Sequence, residues 1–200
     1  MVTEQNTKGD NNMSENYRKK IIDKRIFEAN IEDIGDCDFE MTITLKDEKT
    51  KSLLLTCTTY CVDIGDAKEK NTKPSFEADG YSLDGYYAFN AIEREQLYQE
   101  VAVNINTSGI IMLYIQDLYV EPAFRRQGNA KMLINNLAKL TKEFYNMDAI
   151  YFSAVVKADK NRPGYTEDLN DIMTNFLIKE GFWKKKNGRI TVYLKEISED

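Results

Sequence analysis

The densest chemical signal in the chain is the stretch Leu118-Tyr119-Val120-Glu121-Pro122-Ala123-Phe124-Arg125-Arg126-Gln127-Gly128-Asn129-Ala130. It ends a long β-rich run and opens an apolar-periodic helix. The start of a helix presents unpaired backbone N–H groups and a partial positive charge, and a glycine there lets an anion approach the main chain. Gly128 and the small Ala130 occupy such positions, and Arg125, Arg126 and Lys131 add positive charge beside them. This arrangement suits a diphosphate held by backbone donors and electrostatics, with no metal and no histidine. A lone glycine at a helix start also serves as a plain turn residue, so residues alone leave both readings open.

The chain contains no histidine. That removes the commonest general base, the commonest metal ligand and every Ser-His or Cys-His nucleophile pair, and with them hydrolase triads and most zinc sites. Cys37, Cys57 and Cys61 make neither an even disulfide framework nor a metal tetrad and read as reduced thiols. Acidic residues outnumber basic ones by 33 to 27, a formal charge of -6, which argues against sequence-independent nucleic-acid binding. A cationic substrate would be favoured, although an acidic surface serves solubility equally well. The polar start lacks the apolar core of a signal peptide, and no run reaches the ~18 apolar residues of a membrane span, so the expected location is cytoplasmic with no membrane partner. Residues 1–16 are expected to form a disordered tail, and 17–200 one domain.

The elements that must position the signal are clearest in the second half. Ile110 to Val120 reads as a strand closed by Glu121-Pro122, and Gly128 to about Phe144 as a helix with Met132, Leu133, Leu137 and Leu140 on one face. Ala149 to Val156 is apolar enough for a buried strand, so strand, helix and strand predict a parallel crossover. Leu169, Ile172, Met173, Phe176 and Leu177 fall at helical spacing, with Gly181 placed for the helix C-terminus. Phe182 to Lys185 and Arg189 to Ile197 flank Asn187-Gly188 and predict a hairpin. Upstream, Asp38 to Lys46 and Lys51 to Val62 predict two antiparallel strands about a turn at 46–49, and Glu93 to Val103 a short helix. Residues 64–90 scatter Asp79-Gly80 and Asp84-Gly85 among aromatics and specify no element. The three prolines all mark loops.

The 118–130 segment resembles the acetyl-coenzyme A signature of the GNAT superfamily, Gln/Arg-x-x-Gly-x-Gly/Ala, with Arg125, Gly128 and Ala130 on its fixed positions. Leu118, Tyr119, Val120 and Pro122 match the family's preceding Leu-Tyr-Val-x-Pro pattern. A second match runs from Asn170 through Phe176 to Gly181-Phe182, where relatives often read Asn-x-x-Ala-x-x-Phe-Tyr-x-x-x-Gly-Phe. The resemblance covers about 110–197. It implies an α/β (α+β mixed-sheet) fold with a splayed, mostly antiparallel central sheet flanked by helices. It implies acetyl-coenzyme A as cofactor and transfer of its acetyl group to a primary amine, on a small molecule or a protein lysine or N-terminus, with a homodimer left open. Leu118 and Val120 would pair with the pantetheine arm, and the Leu118 N–H would polarise the thioester carbonyl. Backbone amides of Arg126, Gln127, Gly128, Asn129, Ala130 and Lys131 would cradle the pyrophosphate, with Asn170 positioning the arm or simply capping its helix.

Direct acetyl transfer needs an unprotonated amine, a polarised carbonyl and a proton donor for the thiolate. Relatives often carry a glutamate near Tyr114 or Gln116, which is absent here, and their general-acid tyrosine falls at Leu177. Asp117 is the nearest carboxylate, yet plain alternation places it opposite Tyr114, Gln116 and Leu118. Tyr165 and Tyr114 are substitutes by type for the missing acid, and packing aromatics by the plainer reading. These departures favour an alternative function, a catalytically weak or inactive module binding coenzyme A, a protein, or both. Tyr81, Tyr86, Tyr87 and Phe89 either line an acceptor pocket or fill core.

Overall fold

The computed structural model describes residues 17–34, 38–103, 107, 109–157 and 159–197. The expected tail at 1–16 and Cys37 lie outside them. Among the described residues eight strands form one sheet: β1 (Tyr17–Ile22), β2 (Arg25–Asp33), β3 (Asp38–Asp47), β4 (Leu53–Asp63), β5 (Ile110–Val120), β6 (Asp148–Val155), β7 (Trp183–Asn187) and β8 (Ile190–Glu196). Their order is β1-β2-β3-β4-β5-β6-β8-β7. Only β5 and β6 are parallel, joined across α5 (Asn129–Tyr145) as the crossover pattern predicts. α6 (Leu169–Lys179) and the Asn187-Gly188 hairpin also form where their spacing places them.

The first two strands are ones that the sequence pattern does not announce. β2 carries the alternation Phe27, Ala29, Ile31 inward, while the edge strand β1 has only a partial pattern, with exposed Arg18 and Lys19. Lysines on the opposite edge, β7, likewise discourage pairing with another chain.

Residues 64–92 fold as three short helices: α1 (Ile64–Glu69), α2 (Pro74–Tyr81) and α3 (Leu83–Ile92). Their start signals are local. Asp63 accepts from the N–H groups of Gly65 and Asp66, Pro74 stands in the first turn of α2, and the Ser82 side chain accepts from Gly85 N. Thus Asp79-Gly80 and Asp84-Gly85 are helical, not turns. Glu93 is the C-cap of α3, buried and accepting from Ser75 N and Oγ, so α4 begins later, at Gln96–Val103.

Two apolar layers sandwich the sheet. On one face Leu133, Leu137 and Leu140 of α5 and Leu177 of α6 join a cluster with Phe27, Ile43, Leu113 and Ile115. On the other, Ala88, Phe89 and Ile92 of α3 join Tyr60, Met112, Tyr114 and Leu194. Each fully buried leucine contributes about 1.5–3 kcal/mol relative to exposure.

One irregularity decides which side chains share a face near the end of β5. β4 and β5 pair Thr58 with Asp117 and next Thr59 with Ile115, so Gln116 is an extra residue, a β-bulge. Tyr114 opposes Tyr60 and Asp117 opposes Thr58, two residues apart on β4; Tyr114 and Asp117 therefore share a face. Ile115 and Leu118 share the other. The expectation that Asp117 lies opposite Tyr114 is overturned, because the bulge inverts the alternation between them.

Candidate active site

The pairing of β5 with β6 stops at Ile115 and Ala154, whereas β5 continues to Val120. Beyond that point the parallel strands part, and the wedge between them is a cavity of about 540 Å³. Its walls are Gln116 to Val120, the strand end Ala154 to Lys157, the α6 face Leu169, Ile172, Met173 and Phe176, and the start of α5.

The backbone of β5 turns its free groups into this wedge. Glu121 N donates to Leu54 O on β4, and the Val120 carbonyl instead accepts from Arg125 Nε at 3.1 Å. Because main-chain groups alternate along a strand, Leu118 shares the Val120 edge, away from β4. The Val120 carbonyl is thus engaged by a side chain, leaving its N–H and the Leu118 groups on that edge.

At the far end of the wedge, Arg126 and Gly128 both take left-handed backbone, with φ 60° and 78°. Gly128 is the N-cap of α5, and among the described residues no side chain caps that turn and a Cβ built on it would meet nothing within 4 Å. The first helical bond runs from Met132 N to Gly128 O, so the amides of Asn129, Ala130 and Lys131 before it have no partner within the helix. Such successive amides in alternating conformations make an anion-binding concavity.

The side chains around it are distributed less uniformly. Arg126 and Gln127 are exposed, the latter donating to Ala123 O, and Lys131 is exposed with its ammonium 3.8 Å from Glu180. The Asn129 side chain turns inward, buried, donating to Phe124 O and accepting from Arg25. Arg125 is committed elsewhere: besides Val120 it donates to the carbonyls of Pro163 and Gly164, fastening the loop before α6 across the wedge. A Cβ at Gly164, whose φ is +74°, would stand 2.8 Å from that guanidinium. On α6, Leu169 lines the wedge and the neighbouring, exposed Asn170 does not.

A second hollow of about 250 Å³ adjoins the first, sharing Gln116, Asp117, Leu118 and Tyr119 and adding Arg162 and Tyr165. Asp117 is bonded there by Arg162 Nη1 at 2.9 and 2.7 Å, and the guanidinium lies 5.1 Å from the centre of the Tyr119 ring. Those bonds, with the charge of Asp117, raise the Arg162 pKa above its ordinary value. Tyr165 is half-buried on the rim, whereas Tyr114 is buried in the core behind, where desolvation first and Asp84 and Tyr81 next push its hydroxyl far up. Leu177 is buried and lines the wedge floor. The thiols of Cys57 and Cys61 are buried on β4, and desolvation raises Cys61 to about 12.

Sequence reasoning names Tyr81 only among aromatics that line a pocket or fill core, and it misses Glu40. Tyr81 of α2 reaches over to Gln116, and Glu40 of β3 bonds Tyr81. No local pattern marks this contact, because it depends on where three short helices dock.

Residues 85–166 match the model of the acetyltransferase (GNAT) family. No curated protein matches the sequence. Among solved structures, an Arabidopsis thaliana NAA60 complex with a bisubstrate analogue is 15% identical, with 80% of this chain and 74% of that chain covered and a TM-score of 0.42. Arylalkylamine N-acetyltransferase 2 from Aedes aegypti is 14% identical over 78% of this chain and 73% of that one, with a TM-score of 0.44. Ard1 from Thermoplasma volcanium is 15% identical over 79% and 71%, at 0.38. Likeness at this level carries no argument about fold or substrate.

Proposed function

We propose that this chain, which carries a GNAT-family acetyltransferase domain across residues 85–166, transfers an acetyl group from acetyl-coenzyme A to a primary amine by direct attack. The observation that carries the reading is the wedge between β5 and β6, which ends at the uncapped, left-handed Gly128. A diphosphate fits there, because the space a side chain would occupy at Gly128 is open and the first amides of α5 have no partner within the helix. When bound, acetyl-coenzyme A supplies the thioester: the amine nitrogen bonds to its carbonyl carbon as the C–S bond breaks, the nitrogen sheds a proton and the thiolate takes one up.

The chain's residues have separable tasks. The amides from Arg126 to Lys131 hold the diphosphate, with Arg126 and Lys131 contributing field more than contact. The Leu118 N–H, on the free edge of β5, polarises the thioester carbonyl, and the Val120 N–H aligns the arm. Arg125 acts indirectly, holding the Pro163-Gly164 loop that roofs the wedge. Asp117 is paired with Arg162 and shapes the second hollow, through which the acceptor enters. Tyr165 is the hydroxyl of that hollow nominated as proton donor to the thiolate, since Leu177 has no proton to give.

Isothermal titration with acetyl-coenzyme A tests the first half of this reading, and release of free thiol with polyamines, aminoglycosides and lysine peptides tests the second. No binding heat at millimolar cofactor would refute it. The alternative, a module that binds coenzyme A without turnover, is favoured by the apolar Leu177 and by the arginine clamped on Asp117. Binding with no thiol release across the panel would select it.

A further inference from the structure

The bulged residue Gln116 lines both hollows, so it stands at the passage where an acceptor in the second meets a thioester in the first. Its side-chain amide does not swing freely. Tyr81 Oη lies 2.9 Å from the Gln116 Oε1 position and also bonds Glu40 Oε2. A hydroxyl has one proton, and a carboxylate takes it in preference to a neutral amide. The Gln116 group facing Tyr81 must then be its NH2, since two oxygens without a hydrogen between them repel. The amide oxygen is left pointing away from Tyr81.

Resting on the reading of the chain as an amine acetyltransferase, we propose that the Gln116 amide oxygen receives an N–H of the acceptor amine, and that Glu40, acting through Tyr81, is the positioning residue that fixes this orientation. The chain of bonds runs from acceptor N–H to Gln116 oxygen, from Gln116 NH2 to Tyr81 oxygen, and from Tyr81 O–H to Glu40. Each donor in it polarises the next, so the carboxylate strengthens a hydrogen-bond acceptor two side chains away. The Tyr81 ring is stacked on Tyr60 with centroids 4.4 Å apart, which holds its hydroxyl in place. Burial first, then the bond to Glu40, push the Tyr81 hydroxyl up to about 12, so it stays a donor at neutral pH. The bulge is what makes the device possible: without the extra residue, position 116 would be paired with β4 and aligned with the regular pleat.

The test compares KM for acceptor and for acetyl-coenzyme A in Gln116→Met, Tyr81→Phe, Glu40→Gln and the Tyr81→Phe/Glu40→Gln double variant, on the amine that gives the wild type its fastest thiol release. Loss of one hydrogen bond between neutral groups is worth roughly two- to ten-fold. Gln116→Met should therefore raise the acceptor KM about three- to ten-fold while the acetyl-coenzyme A KM stays within about two-fold. Tyr81→Phe and Glu40→Gln should each give a smaller rise in the same constant, and the double variant should equal Tyr81→Phe alone, because Glu40 works only through Tyr81. Additive single effects, or an unchanged acceptor KM in Gln116→Met with turnover intact, overturn the proposal and leave the acetyltransferase reading standing. A wild type that binds acetyl-coenzyme A yet releases no thiol with any amine overturns it too, with the cofactor site retained. Absence of cofactor binding overturns the reading itself.

Discussion

Gly128→Val separates the cradle from the scaffold. Gly128 has φ +78° and an exposed position, and a Cβ there meets no atom within 4 Å. The cost to folding is therefore backbone strain alone, about 1–2 kcal/mol for an L residue in left-handed conformation. For a chain of this size that lowers Tm by about 2–8 °C. The cost to binding is larger, because the branched side chain projects into the space the diphosphate needs and pushes it off the α5 amides. Each charge-assisted bond lost is worth about 1.5–3 kcal/mol; losing two reduces affinity for acetyl-coenzyme A by roughly 10²- to 10⁴-fold. Thermal melting of the apo protein and titration with acetyl-coenzyme A measure the two costs separately. A variant that melts as expected yet binds within about three-fold of wild type would show that the anion is held elsewhere, and the assignment of 126–131 would fall.

Arg125→Ala removes one carbonyl contact to β5 and two to the roof of the wedge but none of the cradle amides. Its expected signature is faster proteolytic cleavage at the loop around Pro163, with acetyl-coenzyme A affinity falling by less than in Gly128→Val; an equal loss of binding would return Arg125 to direct contact with the diphosphate. Asp117→Asn should cost less than about 1 kcal/mol, since both partners of its ion pair are more than a third exposed, and should lower kcat less than about three-fold. A hundred-fold fall in kcat in steady-state assays would instead identify Asp117 as the base. Glu28 gives the pH-dependent case. Burial raises its pKa, but hydrogen bonds from Lys46 and Tyr17 outweigh this and hold it below the ordinary value. Its contribution is present above the unfolded pKa and is lost as pH falls through the lower folded one. Denaturant melts of Glu28→Gln should show lower stability at pH 7 and a shallower decline into acid; parallel curves for variant and wild type would contradict this.

The parts of the fold legible in the sequence are those in which local pattern and tertiary role agree. α5 and α6 carry one apolar face each, and the Asn187-Gly188 turn has backbone requirements that few residues meet. Residues 64–92 are illegible because their helices are six to ten residues long, too short for periodicity to stand out, and the capping signals of Asp63 and Ser82 sit beside glycines that mimic turns. The turn into α5 at Gly128, proposed here as the cradle, is legible because its signal is compressed into consecutive residues. For Arg125 the motif gives the neighbourhood and not the contact, since its partners, Pro163 and Gly164, are 38 and 39 residues away.

The β-bulge is where plain strand arithmetic and the fold diverge, and the chemistry follows the fold. With unbroken alternation, Gln116 would share a face with Tyr114 and Leu118, and Asp117 would face the opposite layer. The inserted residue instead places Asp117 beside Tyr114 on the α2 and α3 side, moves Leu118 to the α5 side, and leaves Gln116 unpaired at the point where β5 leaves β6. A site without histidine, whose Asp117 carboxylate is held by Arg162, still needs a fixed polar group at the meeting point of its two hollows. An unpaired side chain at a bulge supplies one only if something else holds it, and Tyr81 can do so because Ser82 ends α2 and starts α3 at the height of the bulge. In the arrangement proposed above, the short helices do more than cover the sheet: the docking of α2 sets which atom of Gln116 faces the acceptor.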